Sequence, residues 1–308
     1  MNRFITLIFL LGIIHQGIPV YGVVSNSTFA RHCEGEARSN LHNTEIASLF
    51  LLAMTENGTS ETLQDGNALD LYFHALEQNQ LDSAEFYLKT VLKNNPAGKL
   101  NPLLLNNLGT IQRRLKKYDE ALISYSAALG QFTKNPVFLE NRASLFAEMG
   151  KAENAILDYS ALLEVKPDDQ EALYQRGLLY LQLKNSDKAE TDFRRMLDLN
   201  PDGLFPRIGF AALAKFRGDY PEAEKIYNYL LDKEPENAGL YAGRAELYLL
   251  MEKPGKAASD ATQAIRLSKS EDPYLYIIRY RANKELRDKK FALKDLEKAR
   301  ALGYKGEE

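Results

Sequence analysis

Between Lys134 and Asp202 the chain spells one 34-residue unit twice in succession. The first copy, residues 135–167, reads NPVFLENRASLFAEMGKAENAILDYSALLEVKP, and the second, residues 170–201, reads QEALYQRGLLYLQLKNSDKAETDFRRMLDLNP. With Ala155 set against Ala189, Arg142 meets Arg176, Asp158 meets Asp192 and Pro167 meets Pro201. Each copy holds two segments of about a dozen residues with the apolar periodicity of a helix, joined by a short polar turn. A unit of this size cannot bury both apolar faces alone, so it must stack on copies of itself.

The copies continue on both sides. A small residue of the second helix recurs at Ala84, Ala121, Ala155, Ala189, Ala223, Ala257 and Ala292, at spacings of 37, 34, 34, 34, 34 and 35. One helical turn after it stand Leu88, Tyr125, Tyr159, Phe193, Tyr227, Ala261 and Leu296. Pro96, Pro167, Pro201 and Pro235 close their units, because proline cannot continue a helix. The small residue lets two helix axes approach to about 8–10 Å, and the larger one fills the space beside it. This pattern resembles the tetratricopeptide repeat. It departs from that family in lacking tryptophan, and Lys269 and Tyr304 stand where the sixth and seventh units would close on proline. The resemblance implies an all-α fold, a right-handed superhelical solenoid of about seven helix pairs. The units lie near residues 65–98, 102–135, 136–169, 170–203, 204–237, 238–271 and 273–306, in an array spanning 61–304.

An internal comparison separates packing from ligand chemistry. Arg142, Arg176, Arg244 and Arg279 share one first-helix position, and in those same units Asp158, Asp192, Asp260 and Asp295 share one second-helix position. The other three units carry Leu71, Leu108 and Phe210 with Tyr87, Ser124 and Ile226. The charges appear together or not at all, which predicts a structural ion pair inside each unit. The family's inward-facing positions, carried onto this chain, suggest a groove for a peptide. They mark Asn106, Asn107, Thr110 and Arg113 in the second unit, Asn141 in the third, and Tyr174, Gln175 and Leu178 in the fourth. Phe205, Ile208, Ala212, Lys215 and Phe216 follow in the fifth unit, and Glu246 and Leu249 in the sixth. Amides suit the backbone of an extended peptide, and aromatics suit its apolar side chains. Asn141 matches an asparagine of the chaperone-binding relatives. Their carboxylate clamp is incomplete here, since Asn106, Thr110, Tyr174 and Leu178 stand where lysine and arginine are needed.

Catalysis finds no support. His74 sits beside an apolar helix face with no acidic or cysteine partner at metal spacing. No strand precedes a glycine-rich phosphate loop. The formal net charge is only -3, which argues against nucleic acid as partner. Neither cofactor nor metal is expected.

The first 60 residues differ from the array. Met1–Gly22 has the layout of a secretory leader: a positive start, the apolar run Phe4–Ile14, then small residues before a cleavage point after Gly22. The run is nearer half of the roughly 20 residues a membrane span needs, so no span is expected once the leader is removed. Residues 31–57, with RHCE, EARSN and LLAMT, resemble the translation of a mobile palindromic repeat inserted into a bacterial reading frame. Residues 23–60 are then a poorly ordered segment with a possible short helix at Ile46–Met54, and Cys33, the single cysteine, is an unselected thiol. The expected protein is an exported, periplasmic or secreted, non-enzymatic scaffold that binds a protein or peptide in its groove. The alternative is an envelope module that self-associates, as a homo-oligomer or within an assembly, and leaves the groove unused.

Overall fold

The computed structural model describes residues 63–268 and 271–306. The leader at Met1–Gly22, Cys33 and the segment Ile46–Met54 lie outside the described residues. The described residues form helices and turns without a strand, in two compact units that divide after Ala172.

The first unit contains three antiparallel helix pairs: α1 (Leu63–Glu77) with α2 (Leu81–Asn94), α3 (Asn101–Arg114) with α4 (Tyr118–Gln131), and α5 (Pro136–Glu148) with α6 (Ala152–Val165). The second contains four: α7 (Gln170–Gln182, beginning just before the division) with α8 (Ser186–Leu199), α9 (Leu204–Arg217) with α10 (Tyr220–Lys233), α11 (Ala238–Leu250) with α12 (Pro254–Leu267), and α13 (Pro273–Glu285) with α14 (Lys289–Ala301).

The core is built where the repeat pattern puts it. The seven register alanines are buried, six of them completely. The residues one turn later, from Leu88 to Leu296, are buried beside them. Close approach of the helices depends on missing side chains as well. A Cβ on Gly109 would stand 2.7 Å from the Tyr125 ring, and one on Gly177 or Gly209 would stand 2.5 Å from Phe193. Phe193 is thus gripped from both sides in the second unit, and its burial contributes about 1.5–3 kcal/mol.

All seven first helices end in the same way. A residue one or two positions past the helix enters the left-handed region: Asn79, Lys116, Gly150, Lys184, Gly218, Glu252 and Arg287, with φ between 54° and 77°. The next amide then reaches back to a carbonyl of the last turn, as Lys117 N–H does to Gln112 O at 2.8 Å and Asp219 N–H to Ala214 O at 2.9 Å. This Schellman closure satisfies carbonyls that the helix end would otherwise strand. Second helices often start on a cap at the following position, where Asn185, Asp219 and Asp288 accept the N–H groups of Lys188, Glu222 and Phe291. The hairpin geometry is therefore repeated even where the turn sequence is not.

Candidate functional site

The first helices carry the family's inward positions, so the candidate binding residues are placed by α3 and α5 in the first unit and by α7 and α9 in the second.

In the first unit these residues form a connected polar row. Asn141 Nδ2 donates to Asn106 Oδ1 at 2.9 Å. Thr110 Oγ1 donates to the Asn106 carbonyl at 3.1 Å and lies 3.0 Å from the Tyr125 hydroxyl. Asn107 bonds to the hydroxyl of Tyr72, whose burial pushes that group well above the usual tyrosine range. Thr110 is exposed, while Asn107 and Asn141 are half-buried. Asn106 is 1% exposed, so its expected place among the ligand contacts is corrected: it supports Asn141 from beneath. Arg113 is also corrected. Its Nε donates to Glu148 Oε1 at 2.7 Å, with Nη2 closing a second contact, and the Glu148 side chain is only 5% exposed. Burial works against the Arg113 charge, but Glu148 outweighs it and holds the guanidinium well above its ordinary range. This cation is already matched, and it ties α3 to α5.

A second buried network lies between α2 and α4. Gln112 Nε2 donates to Glu85 Oε1 at 3.2 Å, Gln112 Oε1 accepts from Ser124 Oγ at 2.7 Å, and Lys117 Nζ donates to Glu85 Oε2 at 2.6 Å. Burial alone would raise the Glu85 carboxyl; the donors Lys117, Lys89 and Gln112 together override it and hold the group at about 2. The network includes Ser124, at the position that other repeats give to aspartate.

In the second unit the aromatic expectation changes character. Tyr174, Leu178 and Ile208 are buried. Tyr174 packs 6.2 Å from Phe193 and 5.8 Å from Phe205, centroid to centroid, so it belongs to the core and is not available to a ligand. Gln175 and Phe205 are half-buried, and Phe216 is 44% exposed. The same unit holds a pair that sequence reading placed as separate inward residues. Lys215 Nζ donates to Glu246 Oε2 at 3.2 Å, and the Tyr274 hydroxyl donates to Glu246 Oε1. Burial works against the lysine's charge, yet Glu246 keeps it above its usual range. Lys215 occupies the repeat position of Arg113 three repeats later, a coincidence visible in sequence once both are read as buried cations.

All four arginine–aspartate pairs are bidentate. Arg142 donates to Asp158 at 2.8 and 2.8 Å, Arg176 to Asp192 at 2.9 and 2.7 Å, Arg244 to Asp260 at 2.7 and 3.0 Å, and Arg279 to Asp295 at 2.9 and 2.7 Å. The aspartates are buried, and each pair joins the two helices of one repeat. His74 is a surface side chain 3.9 Å from Glu77, so the expectation that it lacks an acidic neighbour is corrected: one turn of helix brings the i+3 acid beside it. Among the described residues no group of three metal-ligating side chains occurs, and no helix is long and apolar enough to cross a membrane. In the first unit the first helices therefore offer hydrogen bonds from Asn107, Thr110 and Asn141; in the second, by itself, they offer apolar contact from Phe205 and Phe216.

The arrangement defines a class, the stacked helix-pair repeat, and comparison with known proteins places the chain within it. The tetratricopeptide repeat model matches residues 141–203 and 210–273, and the model of YpiA-like C-terminal tetratricopeptide repeats matches residues 102–169. The crystal structure of a tetratricopeptide repeat protein from Parabacteroides merdae is 43% identical, with 78% of this chain and 93% of that chain covered and a TM-score of 0.72. The chain belongs to the tetratricopeptide repeat family. PilW, a type IV pilus biogenesis factor, is 18% identical with 67% of this chain and 94% of that chain covered at a TM-score of 0.52. Yeast Tom70 is 18% identical, with 98% and 68% covered at 0.59; both share the fold alone. No curated protein matches the chain.

Proposed function

We propose that the protein is an exported scaffold whose first-helix face holds an extended segment of a partner protein. Tetratricopeptide folds are protein-interaction modules, generally without enzymatic activity. The observation that carries the finer reading is the half-exposed polar row on α3 and α5. Asn141 has committed one N–H to Asn106 and keeps a second N–H and a carbonyl oxygen to offer. Such groups can pair with a peptide backbone; in the second unit, by itself, Phe216 on α9 offers an exposed apolar contact.

A photo-crosslinking side chain at Thr110 or Phe216, in the native host, tests the reading. Crosslinks to a defined segment of another protein are expected from both positions, and few from the exposed outer position Lys225. Capture from Lys225 alone would sink it. Mass spectra of the same samples read the N-terminus, expected at Val23 where the leader has been removed; a terminus at Met1 or Asn2 would overturn export.

A further inference from the structure

Two exposed surfaces outside the inward face complement one another. On the second helices of the first three repeats, one position is apolar and open to solvent: Phe86 on α2 is 65% exposed, Ile123 on α4 70% and Leu157 on α6 68%. The same position in the later repeats holds Thr191, Lys225, Ser259 and Lys294. The apolar row is thus a property of the first unit and not of the fold. One helical turn before each apolar residue stands an exposed acid, Asp82, Asp119 or Glu153, giving an acidic row parallel to the apolar one. Asp119 and Glu153 enter no ion pair among the described residues. Lys117, at the head of α4, is engaged by Glu85 at 2.6 Å and lies 3.6 Å from Asp82, and Lys151 heads α6 beside Glu153. On the opposite flank the row meets Thr90, Ala127 and Ala161, which are uncharged. Lys89 Nζ and Glu120 Oε2, 3.1 Å apart, bridge α2 and α4 on this surface.

The last repeat reverses the charge. At the position of Asp82, Asp119 and Glu153 it has Lys290, and at the position of the apolar row it has Lys294. On α14 these two lysines, one turn apart, run between Phe291 and Leu293, each 58% exposed. Lys289 adds a third positive charge, and Glu297 is the acid on the same surface. None of the three lysines is ion-paired among the described residues. Leu293 occupies a position that is at least half-covered in the earlier repeats.

We infer that the acidic and apolar face of α2, α4 and α6 is a docking surface for α14 of a second copy of this chain. Charge and length both favour that occupant. The lysines meet the acidic row, and one of the apolar side chains flanking them, Phe291 or Leu293, covers the apolar row. A 13-residue helix is about 20 Å long, enough to lie across neighbouring second helices. The contact joins different surfaces of the two copies, so it is head-to-tail and leaves one docking face and one α14 free in the pair. It involves neither Asn141 nor Phe216, so it stands or falls apart from peptide binding at the inward face. A contact this small associates weakly, in the micromolar range.

Sedimentation of the full chain tests it with two variants, one head-broken (Ile123→Asp with Leu157→Asp) and one tail-broken (Phe291→Asp with Leu293→Asp). All four positions are exposed, and circular dichroism checks that both variants fold. The native chain should show a mass that rises above the monomer with concentration. Each variant alone should remain monomeric, and their mixture should form a 1:1 heterodimer, because one supplies the intact tail and the other the intact face. A monomeric native chain would overturn the inference and leave the face to another partner. A tail-broken variant that still associates would overturn it in favour of face-to-face pairing. Two monomeric variants whose mixture stays monomeric would overturn it as well.

Discussion

On the Asp192 carboxylate two effects oppose each other. Burial pushes its pKa above the usual range, and the two hydrogen bonds from Arg176 pull it back without fully compensating. For Arg176, which keeps more contact with solvent, the pair outweighs burial and the guanidinium is held above its ordinary value. A carboxyl whose folded-state pKa exceeds the unfolded one has stability that is full below the unfolded pKa and lost as pH rises, so at neutral pH it costs stability. The pair is therefore better read as a geometric constraint on α7 and α8 than as a source of stability. The chain supplies its own control, because the fifth repeat places Phe210 and Ile226 at these positions and Phe210 packs 6.2 Å from Phe193. Asp192→Asn, which strands Arg176, should lose about 2–3 kcal/mol in urea unfolding. The double change Arg176→Phe with Asp192→Ile should stay within about 1 kcal/mol of the native chain. If the double variant were as unstable as the single one, the pair would be contributing stability in its own right.

The turn within each repeat is the element where local sequence and local geometry agree least. Its left-handed position is glycine only at Gly150 and Gly218; elsewhere Asn79, Lys116, Lys184, Glu252 and Arg287 take the same conformation. A side chain in that region costs about 1–2 kcal/mol, and the Schellman hydrogen bonds and the packing of the paired helices hold it there. The strain should be recoverable. Glu252→Gly, at an exposed site, should raise stability by about 0.5–1 kcal/mol, since relief of strain exceeds the added freedom of the unfolded chain. Gly218→Ala should lower it by about 1 kcal/mol, and differential scanning calorimetry of both variants reads the two signs. An unchanged melting temperature in both would mean that the turn is held without strain.

Over the whole molecule, apolar periodicity carried most of the information on fold. The register alanines, the aromatics beside them and the co-occurring Arg–Asp pairs were legible in sequence because each repeats with the period and so tests itself from unit to unit. The inward face was less legible. Asn107, Thr110, Asn141 and Phe216 stand open or half-open, yet Asn106, Tyr174, Leu178 and Ile208 are buried and Arg113 is spent on Glu148. Position within a repeat sets which way a side chain starts, while its burial depends on the size of neighbours contributed by the next repeat. No pattern inside one unit reports that. The same neighbour dependence governs how damage spreads. Within each unit the packing runs between consecutive helices, with α3 also meeting α5 and α11 meeting α13. Stability is then a sum of repeat and nearest-neighbour terms, without a single core that fails as one. Hydrogen exchange on Asp192→Asn should show this within the second unit. Amides of α7 to α10 should lose protection by about 30–100-fold, the equivalent of about 2–3 kcal/mol, while α13 and α14 change by less than about threefold. Equal loss across α7 to α14 would mean instead that all four helix pairs open together, and the repeats would have to be treated as one cooperative body.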